Sequence, residues 1–295
     1  MENILDRLHR GDVIVGDGAM GTELMKRGLR QGEPPESFNL LKPEVLEEVA
    51  ALYLSSGAEI VTTNTFGASP LRLRQFALEN HMEAINRIAV EAARRAVADK
   101  AYVSGSVGPS ALPLKPTGKG ESEKIFTSFE LQIRALVSSG VDMICVETMT
   151  DTAEAVLAVK AARAVSPNIP VMATLTFQKS PRGFLTIMKD SVGDAAEALT
   201  QAGADIVGSN CGNGMEDMVA IAREFRAATR APIAIQGNAG LPIAGENGLD
   251  YPETPEFLAA KAVELLEIGV SIIGGCCGTG PEHIRALRQA VDAHR

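Results

Sequence analysis

The apolar residues of this chain gather into short, β-branched runs without clean polar alternation. Eight recur: "DVIVGD" (Asp12–Asp17), "EIVTTN" (Glu59–Asn64), "AYVSGSV" (Ala101–Val107), "VDMICVE" (Val141–Glu147), "PVMATLTF" (Pro170–Phe177), "ADIVGSN" (Ala204–Asn210), "PIAIQGN" (Pro232–Asn238) and "VSIIGG" (Val270–Gly275). Runs of this kind suit strands buried on both faces. Longer stretches between them read as helices, among them Pro43–Ser56, Met82–Ala98, Phe126–Ser139, Asp151–Val165 and Pro255–Ile268. Several end in a glycine just before the next strand ("SSGAEI", "SSGVDM", "QAGADI", "EIGVSI"), the signature of a helix that turns straight into a strand.

Strand–helix alternation repeated eight times predicts the α/β class and a (β/α)8 (TIM) barrel, one domain over residues 1–295. A doubly wound open sheet is the alternative for the same alternation. Two polar stretches, Leu114–Lys124 and Asn238–Thr254, read as long loops over the barrel mouth.

Composition narrows the function. The 295 residues are 45% hydrophobic, ample for one large core. A net charge of −9 with no basic run argues against a nucleic-acid groove or an anionic membrane surface as partner. The opening "MENILDRLHRGD" has no apolar core of a signal peptide, and no uninterrupted apolar run approaches the roughly 18 residues of a membrane span. A cytoplasmic location is the expectation. Four cysteines are too sparse for a disulfide scaffold, so metal binding or catalysis is their expected use. The four histidines, His9, His81, His283 and His294, avoid the predicted strand ends, and a metal site must rest on sulfur.

Barrel chemistry sits at the C-terminal ends of the strands. Those ends carry Asp17, Asn64–Thr65, Glu147, Phe177, Asn210–Cys211, Asn238 and Cys276–Cys277. Strands six and eight are both even-numbered, so their inward side chains share layers and Cys211 can approach Cys276 and Cys277. The turn "GGCCGTGP" (Gly274–Pro281) admits three readings. A phosphate cradle before a helix N-terminus uses the glycines but has no use for two thiols. A redox pair is ordinarily spaced Cys-x-x-Cys, and adjacent cysteines form strained disulfides. A metal site uses everything present, provided Gly274, Gly275 and Gly278 let the backbone twist so that both neighbours face one ion. Three thiolates plus an open position is the pattern of catalytic zinc. Three merely buried structural cysteines remain the plain alternative, and Cys145, two residues before Glu147, reads as a small core residue.

Three thiolates outweigh the two charges of zinc, which makes the ion a poor activator of water. An incoming thiol, with a reference pKa of about 8.5, would instead bind as thiolate and stay nucleophilic. The expected chemistry is alkyl transfer to a thiol. "GDGAMGTEL" (Gly16–Leu24) sets Asp17 beside backbone N–H groups suited to an ammonium and a carboxylate, and Glu147 is a second acid at the mouth. Each has a structural alternative: Asp17 as a helix cap, Glu147 as an inner-barrel ion pair. A phosphate-binding aldolase or isomerase barrel would call for a Schiff-base lysine or a base at a strand end, and no predicted strand ends in a lysine. A zinc carrier leaves both acids without a role.

With these motifs in view, the chain resembles the homocysteine S-methyltransferase family through "DGAMGTEL", "TTNTFGAS", "GSVGPS", "VETMTDTAEA", "GSNCGNG", "GNAGLP" and "GGCCGTGPEHI", which extend from Asp17 to Ile284. The resemblance implies a zinc-dependent transfer of a methyl group to homocysteine, giving methionine. It implies Cys211, Cys276 and Cys277 as zinc ligands, Asn238 at the fourth position when no thiol is bound, and Asp17 and Glu147 around the homocysteine amino group. Thr65 and Phe66 would line the pocket, with Asn210 and the amides of Ala19 and Met20 as further contacts. Gly237 stands where family members often have proline, and the region "TFQKSPRGFLTIMKDS" departs from the methionine synthase pattern. With no folate or cobalamin module expected after the barrel, the methyl donor is expected as a free molecule or on a separate protein. A methylcorrinoid (methylcobalamin) on a separate corrinoid protein is the preferred expectation, S-methylmethionine the alternative, and a different thiol acceptor a further one. Betaine is disfavoured, since an aromatic cage is poorly supplied by Tyr53, Tyr102 and Tyr251 with no Trp.

Overall fold

The computed structural model describes residues 1–112, 119–245 and 248–294. Eight parallel strands form a nearly closed barrel with helices between them, the (β/α)8 architecture expected. They are β1 (Ile14–Val15), β2 (Ile60–Thr62), β3 (Tyr102–Val107), β4 (Met143–Met149), β5 (Val171–Leu175), β6 (Ile206–Gly214), β7 (Ile233–Asn238) and β8 (Ile272–Gly275). From β2 to β8 each pairs with the next in sequence, and β8 pairs with β1. At the remaining seam, between β1 and β2, one main-chain bond crosses from Glu59 N to Val15 O at 2.8 Å. Just above it the Asp17 carboxylate accepts from Thr62 N at 2.6 Å, acting as the ladder acceptor that β1 is too short to supply.

Side-chain alternation separates two apolar regions. Outward residues such as Val61, Val103, Ile144, Val207 and Ile273 pack under the helices in the main core. Inward residues Ile14, Ile60, Tyr102, Met143, Cys145, Met172, Ile206, Ala234 and Ile272 form a plug across the lower barrel. A short helix, Ile4–His9, caps that plug with Ile4 and Leu8, and its first turn is fixed by Asn3 Oδ1 accepting from Leu5 N. Cys145 lies inside the plug, as a core cysteine should. Polar side chains therefore begin one layer higher and face only the mouth.

Helices end at Gly57, Gly140, Gly203 and Gly269, all left-handed, as their positions before strands required. The loop read over 114–124 is shorter than predicted. Its residues 114–118 lie outside the described residues, and a helix already begins at Lys119. The polar stretch "KGESEK" hid that start because only Ile125, Phe129, Ile133 and Leu136 carry the apolar periodicity. The loop read over 238–254, whose residues 246–247 lie outside the described residues, holds an antiparallel hairpin, Ile243–Gly245 with Gly248–Asp250. A second unpredicted hairpin, Gln178–Ser180 with Gly183–Leu185, follows β5. Among the described residues no helix is long and apolar enough to cross a membrane.

Candidate functional site

The sulfur cluster depends on a break in β6. Its pairing with β7 is regular through Asn210 and shifts register before Gly214. Ile206 packs in the interior plug, so Gly208 and Asn210 also face inward and Cys211 would face the helices. The layer argument from even-numbered strands thus holds for Asn210 and Cys276 but gives Cys211 the wrong parity. A φ of +58° at Cys211 reverses its direction. Left-handed backbone at a non-glycine residue costs about 1–3 kcal/mol and persists where its surroundings enforce it.

The adjacent pair Cys276–Cys277 leaves β8 in a turn whose left-handed residue is Gly278, at φ +80°. Gly274 and Gly275 do not supply the twist expected of them; they are not left-handed. A Cβ on Gly275 would lie 2.2 Å from Thr279 Oγ1, so that glycine is there for room. The outcome is a compact set: the sulfurs of Cys211, Cys276 and Cys277 all lie within 4.8 Å of one another, and Cys211 and Cys277 are 3.7 Å apart.

These residues fit a metal ion. Bonds of about 2.3 Å to a tetrahedral zinc put sulfurs roughly 3.8 Å apart, near the Cys211–Cys277 spacing. The side-chain oxygen of Asn238 is buried without a hydrogen-bond partner among the described residues. Main-chain bonds hold Asn238 beside the pair, from Cys276 N to Gly237 O at 2.8 Å and from Ala239 N to Cys277 O at 3.0 Å. Protonation is uneven. Hydrogen bonds from Cys211 and then Cys276 draw the Cys277 thiol down to about 3, with Tyr251 adding to the pull. The Cys276 thiol is pushed well above its ordinary range, first by its hydrogen bond with Cys211. Three thiols held this close are an arrangement that a cation completes by displacing their protons.

Two acids share the barrel mouth with the sulfurs, Asp17 buried and Glu147 half-buried. Asp17 is held by Thr62, whose N and Oγ1 donate to its two oxygens at 2.6 and 2.9 Å, yet burial pushes its carboxyl up to about 6. Burial likewise pushes Glu147 up to about 7, against the hydrogen bond from Ser106 and with Asp17 and Cys277 adding to the rise. Asn210 joins acid to sulfur. Its Nδ2 donates to Thr148 Oγ1 at 2.8 Å and Glu147 Oε2 at 3.3 Å, and lies 3.9 Å from Cys276 Sγ. Its Oδ1 accepts from Thr148 N at 2.7 Å and Thr174 Oγ1 at 2.8 Å, which fixes the amide orientation.

The remaining expected residues divide. Met20 opens the helix Met20–Lys26 at the glycine turn. The Ala19 amide, expected to be free for a carboxylate, donates to Thr279 O at 3.2 Å. Tyr53 clips the same two turns together, its hydroxyl donating towards Ala19 O at 3.1 Å and Thr279 O at 3.3 Å. Thr65 is fully buried and its hydroxyl donates to Ser106 O at 2.8 Å, so its side chain supports the loop. Phe66 is 37% exposed, its ring stacked where a Cβ on Gly108 would be 2.5 Å away.

Two residues escaped sequence reasoning. Tyr251 covers the Gly278 turn and helps to hold the Cys277 thiol below its ordinary range. Glu36, buried, accepts from Gly67 N at 2.6 Å and so anchors the loop that presents Phe66. Neither lies at a strand end, and only their place among loops far apart in sequence reveals them.

A family model described as homocysteine S-methyltransferase matches residues 14–291. The chain belongs to the homocysteine S-methyltransferase family. It is 33% identical over 299 aligned residues to methionine synthase of Mycobacterium leprae and 34% to that of Mycobacterium tuberculosis, in each case over 95% of this chain. It spans 24% of the length of each of these two relatives. Among solved structures, the metallated form of the homocysteine methyltransferase MmuM from Escherichia coli superposes with a TM-score of 0.80 at 23% identity, covering 97% of this chain and 99% of that one. Its oxidized form gives 0.79 at 25% identity, over 98% and 99% of the chains. As a member of this family, the chain carries its cysteines and acids on a barrel of the same architecture.

Proposed function

We propose that this chain, as one domain, transfers a methyl group to the thiol of homocysteine and yields methionine, with zinc held by Cys211, Cys276 and Cys277. The observation that carries the reading is the convergence of three sulfurs, with Asn210 joining one of them to the carboxylate of Glu147. Bound zinc would hold an incoming thiol as thiolate at neutral pH. Asn238 offers its unpaired oxygen for the fourth position when no thiol is present. Asp17 and Glu147 take the substrate ammonium, which compensates the burial of their charges. The amide of Met20 lies in the turn that would receive the carboxylate. In the transfer, a sulfur–carbon bond forms as the bond between the methyl carbon and its donor breaks, and the thiol proton goes to solvent.

The preferred donor is a methylcorrinoid on a separate protein. Phe66, Ile187, Met188, Leu241, Ile243 and Leu249, all on loops after the C-terminal ends of strands, leave large apolar side chains exposed. Such a rim suits docking of a carrier protein better than binding of a small cation. S-methylmethionine is the second reading, supported by the exposed ring of Phe66, to which a sulfonium is attracted. Betaine has less support: Tyr53 and Tyr102 are buried elsewhere, at 0% and 3% exposure.

Zinc X-ray absorption with and without L-homocysteine tests the reading. A fourth sulfur joining three on addition of homocysteine is the expected result. Three sulfurs unmoved by homocysteine would reject that acceptor in favour of another thiol, and no stoichiometric zinc would reject the site. Methionine formation from homocysteine with methylcobalamin-loaded protein or with S-methylmethionine then separates the donors.

A further inference from the structure

We propose that Gln236 is a further specificity-determining residue, whose side-chain oxygen receives one N–H of the substrate ammonium. The inference rests on the homocysteine reading above and deepens it.

Gln236 lies on β7 in register with Asn210 of β6 on one side and Gly274 of β8 on the other. Two residues after the inward Ala234 of the plug, it faces the barrel interior. Gly274 has no side chain to stop it from lying across β8. Its Cγ is 3.2 Å from where a Cβ on Gly274 would stand, and its Nε2 3.5 Å from where a Cβ on Gly16 would stand. The side chain therefore crosses from β7 over β8 to β1, where Gly16 precedes Asp17. The main-chain oxygen of Asp17 borders the same Gly274 position at 3.2 Å.

At this place Gln236 is 8% exposed, and its Oε1 is buried with no hydrogen-bond partner among the described residues. A buried amide oxygen left unpaired is costly. A leucine or methionine would fill the groove over the two glycines without that cost, so packing alone does not account for glutamine. The nearby protein donors are already engaged: the Thr62 hydroxyl and amide serve Asp17, and the Asn210 amide serves Thr148 and Glu147. What the site lacks is a donor brought by a ligand. A primary ammonium has three N–H groups, and Asp17, Glu147 and Gln236 present three acceptors around one end of the site.

The test compares L-homocysteine with 4-mercaptobutanoate, the same thiol acid without its amino group, by calorimetric binding to the zinc-loaded protein. Q236M keeps the bulk and removes the acceptor. It should weaken L-homocysteine about 10- to 100-fold, as loss of a hydrogen bond to a charged group does, and leave 4-mercaptobutanoate unchanged. Q236E keeps an acceptor and should hold L-homocysteine within a few-fold of the natural protein. Equal losses for both thiols in Q236M, or no loss for either, would overturn the inference while leaving the homocysteine reading intact. A natural protein that binds neither thiol would overturn that reading and this inference together. Should Q236M fail to fold, Q236N, which withdraws the acceptor by one methylene, must show the same selective loss.

Discussion

Asn210 donates to Glu147 Oε2 at 3.3 Å through the same nitrogen that lies 3.9 Å from Cys276 Sγ. One planar amide, oriented by Thr148 and Thr174, thus sets the spacing between the acid that would hold an amino group and a sulfur that would hold a metal. The distance between the two ends of a bound amino-acid thiol is built into the framework before any ligand arrives.

Substituting Asn210 should therefore injure both ends at once. N210A is expected to lower kcat/KM for homocysteine by about 10- to 100-fold, the usual effect of losing a group that orients ligating residues. Zinc content by atomic absorption, measured beside the kinetics, should fall less than activity. Kinetics equal to those of the natural protein would show that Glu147 and Cys276 keep their positions unaided.

Cys211 carries two loads, a sulfur and a left-handed backbone. C211A and C211G should both fail to retain zinc in equilibrium dialysis. They should differ in stability, because glycine adopts φ +58° without the Cβ penalty. In metal-free protein C211G is expected to exceed C211A by about 1 kcal/mol, or about 2 °C in melting temperature. The reverse order would mean that the backbone at 211 is not strained.

The pH dependence of stability should carry the mark of Asp17. Its folded pKa of about 6 lies above its ordinary value of 3.8, so the folded protein binds the proton more tightly than the unfolded chain. Stability contributed by this group is full below about pH 4 and declines as pH rises towards 6, by about 3 kcal/mol in all at roughly 1.4 kcal/mol per unit. Urea unfolding of metal-free natural protein and D17N, at steps from pH 4 to 7, checks this. The difference between them should move in favour of D17N as pH rises, and a constant difference would contradict the shifted carboxyl.

Ile243 and Leu249 stand exposed on the hairpin that follows β7. I243S together with L249S is expected to leave homocysteine binding unchanged and to raise KM for a methylcorrinoid protein about tenfold. The rate with S-methylmethionine should stay as it was. A double variant unaffected with the corrinoid protein would remove the rim from the account of the donor.

The eight-fold barrel was legible in the sequence because its signals are local: apolar runs bounded by turns, and glycines at 57, 140, 203 and 269 that end helices by taking left-handed backbone. Cys276, Cys277, Asp17 and Glu147 were legible for a related reason, since a barrel gathers whatever stands at its strand ends. Other features depended on tertiary structure. Alternation along β6 points Cys211 away from the site, and only the break in register after Asn210 turns it back. Asn210 reads as a polar strand end, and its bonds to Glu147 and Thr174 exist because β4, β5 and β6 lie side by side. Tyr251 and Glu36 act from loops, and Gln236 reaches β1 only because β8 offers glycine in its path. Periodicity along a chain fixes which elements form. Which atoms meet is decided by register between segments distant in sequence, and by the few backbone positions where packing overrides a residue's ordinary conformation.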